Sequence, residues 1–308
     1  MIYQRTLASA TRCSGTGLHS GKEVSLTLRP ACANTGIIFT RTDLSEPVTI
    51  SVGMKAISAS SFATSLENRG VSVTTVEHLL ATISALGIDN VIIEVDAPEV
   101  PIMDGSAAPF VALIENAGVV EQSQPRNYVV IRKPIKVTEN GRWIEIRPSR
   151  NTRISYTVDF EHPMISKQFY ETCFPGRAFQ KEISPARTFG FLSDVAELRS
   201  KGYALGGSLE NAVVMDDFGV LNEEGLRFPD EFVRHKILDL LGDLCLLGHP
   251  LIGHVIAHKS GHAMNHELLR EVISSPECWE VTELSEIRTR EMRQAAMPFR
   301  ERQRRASV

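Results

Sequence analysis

The stretch FVRHKILDLLGDL (232–244) has the periodicity of a helix with a wide apolar face and a narrow polar one. The narrow face carries His235, Asp239 and Asp243, each one helical turn beyond the last. An imidazole and a carboxylate four residues apart are typical of a solvated or salt-bridged helix face. They also point at one spot, so they could bind a metal ion together. The apolar face consists of Val233, Ile237, Leu240, Leu241 and Leu244.

Length and composition indicate a globular protein of about two domains. The chain has 308 residues, of which 43% are hydrophobic and 23% charged. A net charge of −4 argues against general nucleic-acid binding, and no apolar run is long enough for a transmembrane segment or a secretory signal. Five scattered cysteines without a CxxC pair argue against a disulfide framework. We therefore predict a cytoplasmic protein with no nucleic-acid partner and no transmembrane segment.

The first half of the chain predicts strands followed by a helix, a strand and a second helix. The first helix is expected over Thr75–Leu86, with Gly87 ending it, and the second runs to about Asn116. The polar segment EQSQPRN (121–127) is typical of a linker. The predicted strands are VSLTLRP (24–30), GIIFTRT (36–42) and NVIIEV (90–95).

The second half repeats this order, which suggests two similar α+β domains. Asn140-Gly141 predicts a tight hairpin, and the helix at 232–244 is followed by a strand, LIGHVIAH (251–258), and a helix over 263–273. Since helix–strand–helix is a common motif, coincidence remains an alternative. If the helix layers of the two domains pack together, His78 and His235 would meet. The predicted units are a first domain (1–122), a second domain (127–281) and a charged C-terminal tail (282–308).

Glu77 and His78, in TTVEHLLA (74–81), begin the first apolar helix. A glutamate beside a ligand histidine can act as base toward a metal-activated water, although a glutamate at a helix N-terminus also has a simple dipole contact. Because there is no HExxH motif, any further ligands must be remote, and His235 and Asp239 offer two. Three protein ligands with an open position are typical of catalytic zinc.

Two further segments carry candidate groups. His262, on a turn at a helix start, could protonate a leaving group, with Asp243 holding it protonated, or it could be a capping or surface histidine. Thr188, in ARTFGF (186–191), could donate a hydrogen bond to an oxyanion. Phe189 and Phe191 are more typical of a core than of a ligand contact.

Seven motifs stand out along the chain. They are TGLHSGK (16–22), TTVEHL (74–79), IDNVIIEV with APEVPIMDGSAAPF (88–110), SPARTFGF (184–191), LGGSLENAVV (205–214), GLRFPDEFVRHKILDLLGDL (225–244) and KSGHAMN (259–265). In this order they resemble the motifs of the zinc-dependent UDP-3-O-acyl-N-acetylglucosamine deacetylases of lipid A biosynthesis. The resemblance runs from residue 1 to about 281, and the pairing of TVEHL with FVRHKILDLLGD is highly specific for it.

The resemblance implies a fold and an activity. The fold would be two similar α+β domains in a β–α–α–β sandwich, with helix layers between two sheets and a small insert in each domain. The activity would be hydrolysis of the N-acetyl group of UDP-3-O-(3-hydroxyacyl)-N-acetylglucosamine with release of acetate, an early committed step of lipid A biosynthesis. The resemblance also implies a monomer with one Zn²⁺ per chain, or another divalent ion such as Fe²⁺.

It also implies roles for individual residues. His78, His235 and Asp239 would bind the metal, and Glu77 would be the general base. The other catalytic groups would be the acid His262, its orienting Asp243, the oxyanion donor Thr188, and Lys236 beside them. Arg142 stands where some members have lysine, and Ala63 where some have cysteine. Expected substrate contacts are Phe160, Lys259 and Arg142 for nucleotide and sugar, and Leu18, His19, Phe189, Phe191, Ala204 and Ser208 around the acyl chain.

Two alternatives remain open from the residues alone. The chain could be a zinc amidohydrolase for a different acylated amide, or a noncatalytic nucleotide- or lipid-binding protein with a structural metal.

Overall fold

The computed structural model of the protein describes residues 2–58, 62–160, 162, 165, 167–174 and 178–286. The predicted charged tail (282–308) therefore lies outside the described residues from position 287 onward. Its first two residues complete a strand that ends at Glu283.

The described residues of the first half form a five-stranded sheet, two α-helices and two smaller strand groups. Its long strands alternate buried and more exposed side chains, as expected for a sheet with one face on the core. The strands are β1 (Tyr3–Leu7), β2 (Thr11–Thr16), β3 (Glu23–Pro30), β4 (Ile37–Arg41), β5 (Val48–Ser51), β6 (Ile57–Ser58), β7 (Ser65–Asn68), β8 (Val71–Thr74), β9 (Val91–Val95) and β10 (Val119–Pro125), and the helices are α1 (Glu77–Ala85) and α2 (Ala108–Ala117).

Among its described residues, the second half forms a seven-stranded sheet, a small three-stranded sheet and three α-helices. The strands are β11 (Asn127–Ile131), β12 (Ile135–Glu139), β13 (Arg142–Arg147), β14 (Thr152–Val158), β15 (Gln168–Phe174), β16 (Phe189–Phe191), β17 (Val213–Asp216), β18 (Gly219–Val220), β19 (Leu251–His258) and β20 (Trp279–Glu283), and the helices are α3 (Leu192–Ser200), α4 (Glu231–Leu244) and α5 (His262–Ser274).

The two large sheets repeat one strand order. In the first sheet, β9 pairs antiparallel with β3 and parallel with β4, giving the order β2-β3-β9-β4-β5. In the second sheet, β19 pairs antiparallel with β13 and parallel with β14, and the hairpin partners are β12 and β15. Each half also carries a small three-stranded insert, β6-β7-β8 or β16-β17-β18. The prediction of two similar α+β units with inserts is therefore confirmed.

Helices α1 and α4 pack against each other where the two halves meet. Gly242 permits this contact, since a Cβ at that position would lie 2.1 Å from the backbone oxygen of Glu77. The polar face of α4 is buried in the contact: His235 is 2% exposed, Asp239 4% and Asp243 0%. The solvated-face interpretation of this helix is therefore wrong.

Local turn chemistry explains where some elements begin and end. Asn140 and Gly141 both have positive φ (47° and 77°) and join β12 to β13 in the predicted two-residue hairpin. Gly87, at φ 72°, follows the end of α1 as predicted. The start of α1 differs from the prediction because Thr75 has φ 58°, which a right-handed helix cannot contain.

Two segments differ from the sequence-based expectation. The predicted linker at 121–127 is mostly strand β10, which pairs antiparallel with β1. Its side chains are exposed or half-buried, so it lacks the apolar alternation that identifies a strand. Helix α3 was not predicted, because it buries no residue and has no apolar stripe.

None of the helices in the described part of the chain has the length and apolarity that a membrane crossing requires.

Candidate active site

Three buried side chains from α1 and α4 converge between the two halves. The Nε2 atoms of His235 and His78 lie 3.2 and 3.5 Å from Asp239 Oδ1. The two imidazole rings are nearly perpendicular, with centroids 4.9 Å apart. The potential ligand atoms of the three residues all lie within 4.8 Å of one another. Helices that are far apart in the sequence thus bring two imidazoles and one carboxylate to one point.

The surroundings of these residues suit a divalent cation. The Nδ1–H of His235 donates to the carbonyl of Ala186 at 3.0 Å, which leaves the Nε2 lone pair free to bind a metal. Burial lowers the pKa of His78 and so favours its neutral, ligating form. Burial alone would raise the pKa of Asp239, but the neighbouring His235 and Lys236 hold it well below its usual value. Two imidazoles and one carboxylate fit the ligand set of a zinc ion with an open position.

Glu77 and His262 form a carboxylate–imidazole pair beside this cluster. Glu77 Oε1 lies 3.7 Å from His262 Nε2, and Glu77 Oε2 accepts a hydrogen bond from the Thr64 amide at 3.0 Å. Burial raises the pKa of Glu77 to about 7. Burial would lower the pKa of His262, but the carboxylates of Asp243 and Glu77 outweigh it and raise that pKa to about 9. Near neutral pH the pair therefore holds a proton on the imidazole and offers the carboxylate as a proton acceptor.

Asp243 orients His262 from the centre of a buried network. Asp243 Oδ2 accepts from His262 Nδ1 at 2.9 Å and from Asn265 Nδ2 at 2.8 Å. Its other oxygen accepts from the Thr64 hydroxyl at 2.5 Å and lies 3.4 Å from His266 Nε2. Burial would raise the pKa of this carboxyl, but His262 and His266 hold it well below the usual range.

Asp243, His262 and His266 also lie close enough together to hold a metal. Hydrogen-bond donors already occupy both oxygens of this carboxylate, so the group is better described as a hydrogen-bond network.

The sequence analysis missed three members of this network. Asn265 and His266 lie three and four residues after His262 on α5, so helical spacing could have identified them. Thr64 had no such signal, because it contacts Asp243 from a different half of the chain.

Thr188 lies on the segment that also orients His235. Its carbonyl and amide hydrogen-bond to the Val213 amide and the Gly105 carbonyl, each at 2.8 Å. Two residues earlier, Ala186 supplies the carbonyl that holds His235. The half-buried Thr188 is therefore fixed relative to the metal-ligand cluster by both halves of the protein.

Lys236 and an aromatic group border the cluster. Lys236 Nζ donates to Asp239 Oδ2 at 2.8 Å and lies 5.5 Å from the ring centroid of Phe189. Phe189 packs edge-on against Phe232 and Phe160, at centroid distances of 4.9 and 5.7 Å. Phe191 lies 6.0 Å from Phe160 in the same group. These aromatic residues are half-buried except Phe232, so they belong to a small core and also present an apolar surface.

The residues predicted around the acyl chain fall into two places. Leu18 and His19 accept backbone hydrogen bonds from Gly206 and Leu205, so their turn is joined to the loop that contains Ala204 and Ser208. The other predicted members, Phe189 and Phe191, belong to the aromatic group described above.

The residues predicted to contact the nucleotide and sugar do not all lie in one place. Phe160 belongs to the aromatic group, and Lys259 pairs with Asp159 at 2.9 Å at the end of β19. Arg142 pairs with Glu139 at the exposed hairpin end. Arg142 and Lys259 directly flank Trp143 and His258, which form the last residue pair of the β13–β19 ladder.

A buried two-imidazole, one-carboxylate cluster beside a carboxylate–imidazole pair is typical of a metal-dependent hydrolase. Residues 4–274 match the model of the family described as LpxC, UDP-3-O-acyl N-acetylglycosamine deacetylase. The chain belongs to this family.

Individual relatives carry names that agree with the family. A UDP-3-O-acyl-N-acetylglucosamine deacetylase of Myxococcus xanthus is 55% identical over 278 residues, covering 90% of this chain and 88% of the relative. The protein of that name from Pasteurella multocida is 52% identical over 283 residues, with 91% and 93% covered. The Aliivibrio fischeri protein is 48% identical over 289 residues, with 93% and 95% covered.

Proposed function

We propose that the chain removes the N-acetyl group of UDP-3-O-(3-hydroxyacyl)-N-acetylglucosamine, releasing acetate, in lipid A biosynthesis. The metal would be a single zinc ion held by His78, His235 and Asp239. The observation that carries this proposal is the convergence of those three side chains beside the Glu77–His262 pair. The names of the relatives supply the acylated UDP-sugar as substrate.

The protein's own residues divide the proton transfers between them. When bound, the metal would polarise the acetamide carbonyl and lower the pKa of a ligated water toward ~7. Glu77 takes the proton that the attacking water loses, and its raised pKa suits it to that task near neutral pH. His262 gives its Nε2 proton to the amide nitrogen, so the C–N bond breaks and acetate and a free amine leave. Asp243 retains its hydrogen bond to Nδ1 throughout and keeps the ring oriented.

Thr188 and Lys236 stabilise the charge that develops during this reaction. The Thr188 hydroxyl donates to the oxygen of the tetrahedral intermediate, in the manner of an oxyanion-hole donor. Lys236 orients Asp239 through a short ion pair. Because burial would lower the pKa of Lys236 but Asp239 raises it, the side chain stays charged near the reacting group.

Substrate recognition would use the residues predicted for the nucleotide and sugar and those predicted around the acyl chain. Lys259 and Arg142 present cationic side chains at one sheet end and suit a diphosphate, with Phe160 toward the sugar. The apolar surfaces around Leu18 and Phe191 suit an acyl chain. Ala204 and Ser208 would line the same passage, together with His19 and Phe189.

We also propose a cytoplasmic monomer with two domains, 1–122 and 127–281. The five cysteines are free, which agrees with a reducing compartment.

The test is acetate release from the acylated UDP-sugar, measured on protein of known metal content. We expect turnover that follows bound metal, with zinc and Fe²⁺ reloaded separately to identify the active ion. Equal turnover of acylated amides that lack the nucleotide would instead support a general amidohydrolase. Unfolding on chelation, without turnover by the loaded protein, would indicate a structural metal.

A further inference from the structure

Thr75 has a strained backbone directly before the proposed catalytic helix. Its φ of 58° lies in the left-handed region, which a β-branched residue rarely adopts, and it is 3% exposed. Backbone hydrogen bonds hold the preceding residue in place. The Thr74 amide donates to the Pro98 carbonyl, and the Thr74 carbonyl accepts from the Val100 amide. Such strain persists only where the surrounding structure enforces it, and it is concentrated at functional sites.

Glu99 is the hydrogen-bond partner of the Thr75 side chain. The Thr75 hydroxyl donates to Glu99 Oε1 at 2.8 Å. The same carboxylate accepts from the amides of His19 at 2.9 Å and Ser20 at 2.8 Å. Glu99 is 1% exposed, so this buried carboxylate is stabilised by neutral donors from two separate segments. Gly17 permits the approach, since a Cβ there would lie 2.4 Å from Glu99 Oε2.

The second of these segments, the 17–22 turn, borders an exposed apolar surface. The ring of His19 lies 5.4 Å from that of Tyr203 and 6.5 Å from that of Phe62, which is 45% exposed. Leu205, 52% exposed, donates its amide to the His19 carbonyl. An apolar chain that covered these side chains would contact the 17–22 turn, whose His19 and Ser20 amides donate to Glu99.

We propose that Glu99 is a positioning residue that couples occupancy of this apolar surface by an acyl chain to the placement of Glu77, acting through Thr75. The coupling rests on the proposed function for the identity of the chain-bearing ligand. The path is contiguous: the 17–22 turn, the Glu99 carboxylate, the Thr75 hydroxyl, and the helix start that carries Glu77. Through this path an acylated substrate aligns the base better than a substrate without a long chain.

The first test compares two substrates in the metal-loaded full-length protein. One is UDP-3-O-acyl-N-acetylglucosamine with a long chain, and the other carries a 3-O-acetyl group. We expect wild type to show a higher kcat for the long chain. Glu99→Gln cannot accept from both amides, and Thr75→Gly keeps the backbone conformation without strain but lacks the hydroxyl. Both variants should lower the long-to-short kcat ratio at least tenfold.

Two variants of Thr75 distinguish an effect on the placement of Glu77 from a loss of stability. Thr75→Ser retains the hydroxyl and should retain the wild-type ratio. Thr75→Gly should still unfold cooperatively and near the wild-type temperature, because the strain that glycine relieves offsets the lost hydrogen bond to Glu99. An equal fall in kcat for both substrates, or an unchanged ratio in Glu99→Gln and Thr75→Gly, would overturn the coupling.

A second readout does not depend on turnover. In hydrogen exchange, binding of the long-chain substrate should protect the amides of residues 76–80 in wild type and in Thr75→Ser, but not in Glu99→Gln. If wild type released no acetate but showed this protection, the proposed function would fail while the coupling stood. If wild type turned over without the protection, the coupling would fail alone.

Discussion

The two halves of the protein share a strand order, yet corresponding segments carry side chains with different chemical roles. In the first half, the segment after the central strand carries Ser106, whose hydroxyl donates to Asp104 Oδ1 at 2.8 Å and closes a turn. In the second half, the corresponding segment carries His262, whose Nδ1 lies 2.9 Å from Asp243. A repeated fold therefore places a turn-forming serine in one half and a proposed general acid in the other.

Helices α1 and α4, which face each other, also carry different sets of side chains. Helix α1 contributes Glu77 and His78, whereas α4 contributes His235, Asp239 and Asp243. Neither helix holds all three proposed metal ligands, and neither half holds both the proposed acid and the proposed base. The repeat thus supplies an interface, and the differences between its halves supply the chemistry.

The largest expected effect comes from removing the acid or the base. Glu77→Ala and His262→Ala should each reduce kcat by about 10²–10⁴, the usual contribution of a general base or acid. Neither side chain is a proposed metal ligand, so metal content measured on the purified variants should stay near wild type. Loss of the ion from either variant would remove the acid–base assignment.

Ser106→Ala is the matched control from the other half. It removes a buried hydroxyl and should cost stability of about 1 kcal/mol while leaving kcat near wild type. A loss of kcat as large as that of His262→Ala would mean that the two halves do not differ as proposed.

Thr188→Val should have the next largest effect. Its hydroxyl is the proposed oxyanion donor, and loss of one such donor lowers kcat by about 10²–10³. Steady-state kinetics of Thr188→Val and Thr188→Ser test this, since serine keeps the hydroxyl. Unchanged kinetics in the valine variant would exclude Thr188 from the reaction.

Gly242→Ala tests the contact between the halves. The added Cβ would lie 2.1 Å from Glu77 O, so α4 must move away from α1. We expect a loss of unfolding free energy of about 1–3 kcal/mol, measured by denaturant titration, together with weaker metal binding. Gly219→Ala meets no atom within 4 Å and should leave both properties unchanged. Wild-type stability in Gly242→Ala would show that the helices do not approach so closely.

The smallest effect is a shift in pH dependence. His262, as the proposed acid, must be protonated, and its pKa is raised to about 9, so kcat should fall as the pH rises through about 9. Asp243→Asn removes a charge that raises this pKa, and the alkaline fall should move to lower pH. Asp104→Asn, which alters the carboxylate bonded to Ser106, should leave the profile in place. A profile unchanged by Asp243→Asn would separate Asp243 from the acid.

The sequence predicted the features that local chemistry determines. Asn140-Gly141 requires positive φ and specified its hairpin, and the apolar spacing of 232–244 specified α4. The candidate ligands followed from helical spacing together with family motifs. The linker at 121–127 was wrong because a polar two-stranded ribbon leaves no apolar pattern.

Contacts between residues far apart in the sequence could not be predicted from local patterns. Thr64 reaches Asp243 across 179 positions, and no local spacing connects them. The burial of the polar face of α4 could not be distinguished from solvation, because it depends on Gly242 admitting α1. The strain at Thr75 was hidden for the same reason, since it is imposed by contacts with distant segments.

The most direct test of the account is the metal content of the purified wild-type protein and of His78→Ala and His235→Ala, with folding checked by circular dichroism. The account predicts one divalent ion per wild-type chain and its loss from both folded variants, one altered in each half. A folded variant of either kind that kept a full equivalent of metal would contradict a single site shared by the two halves.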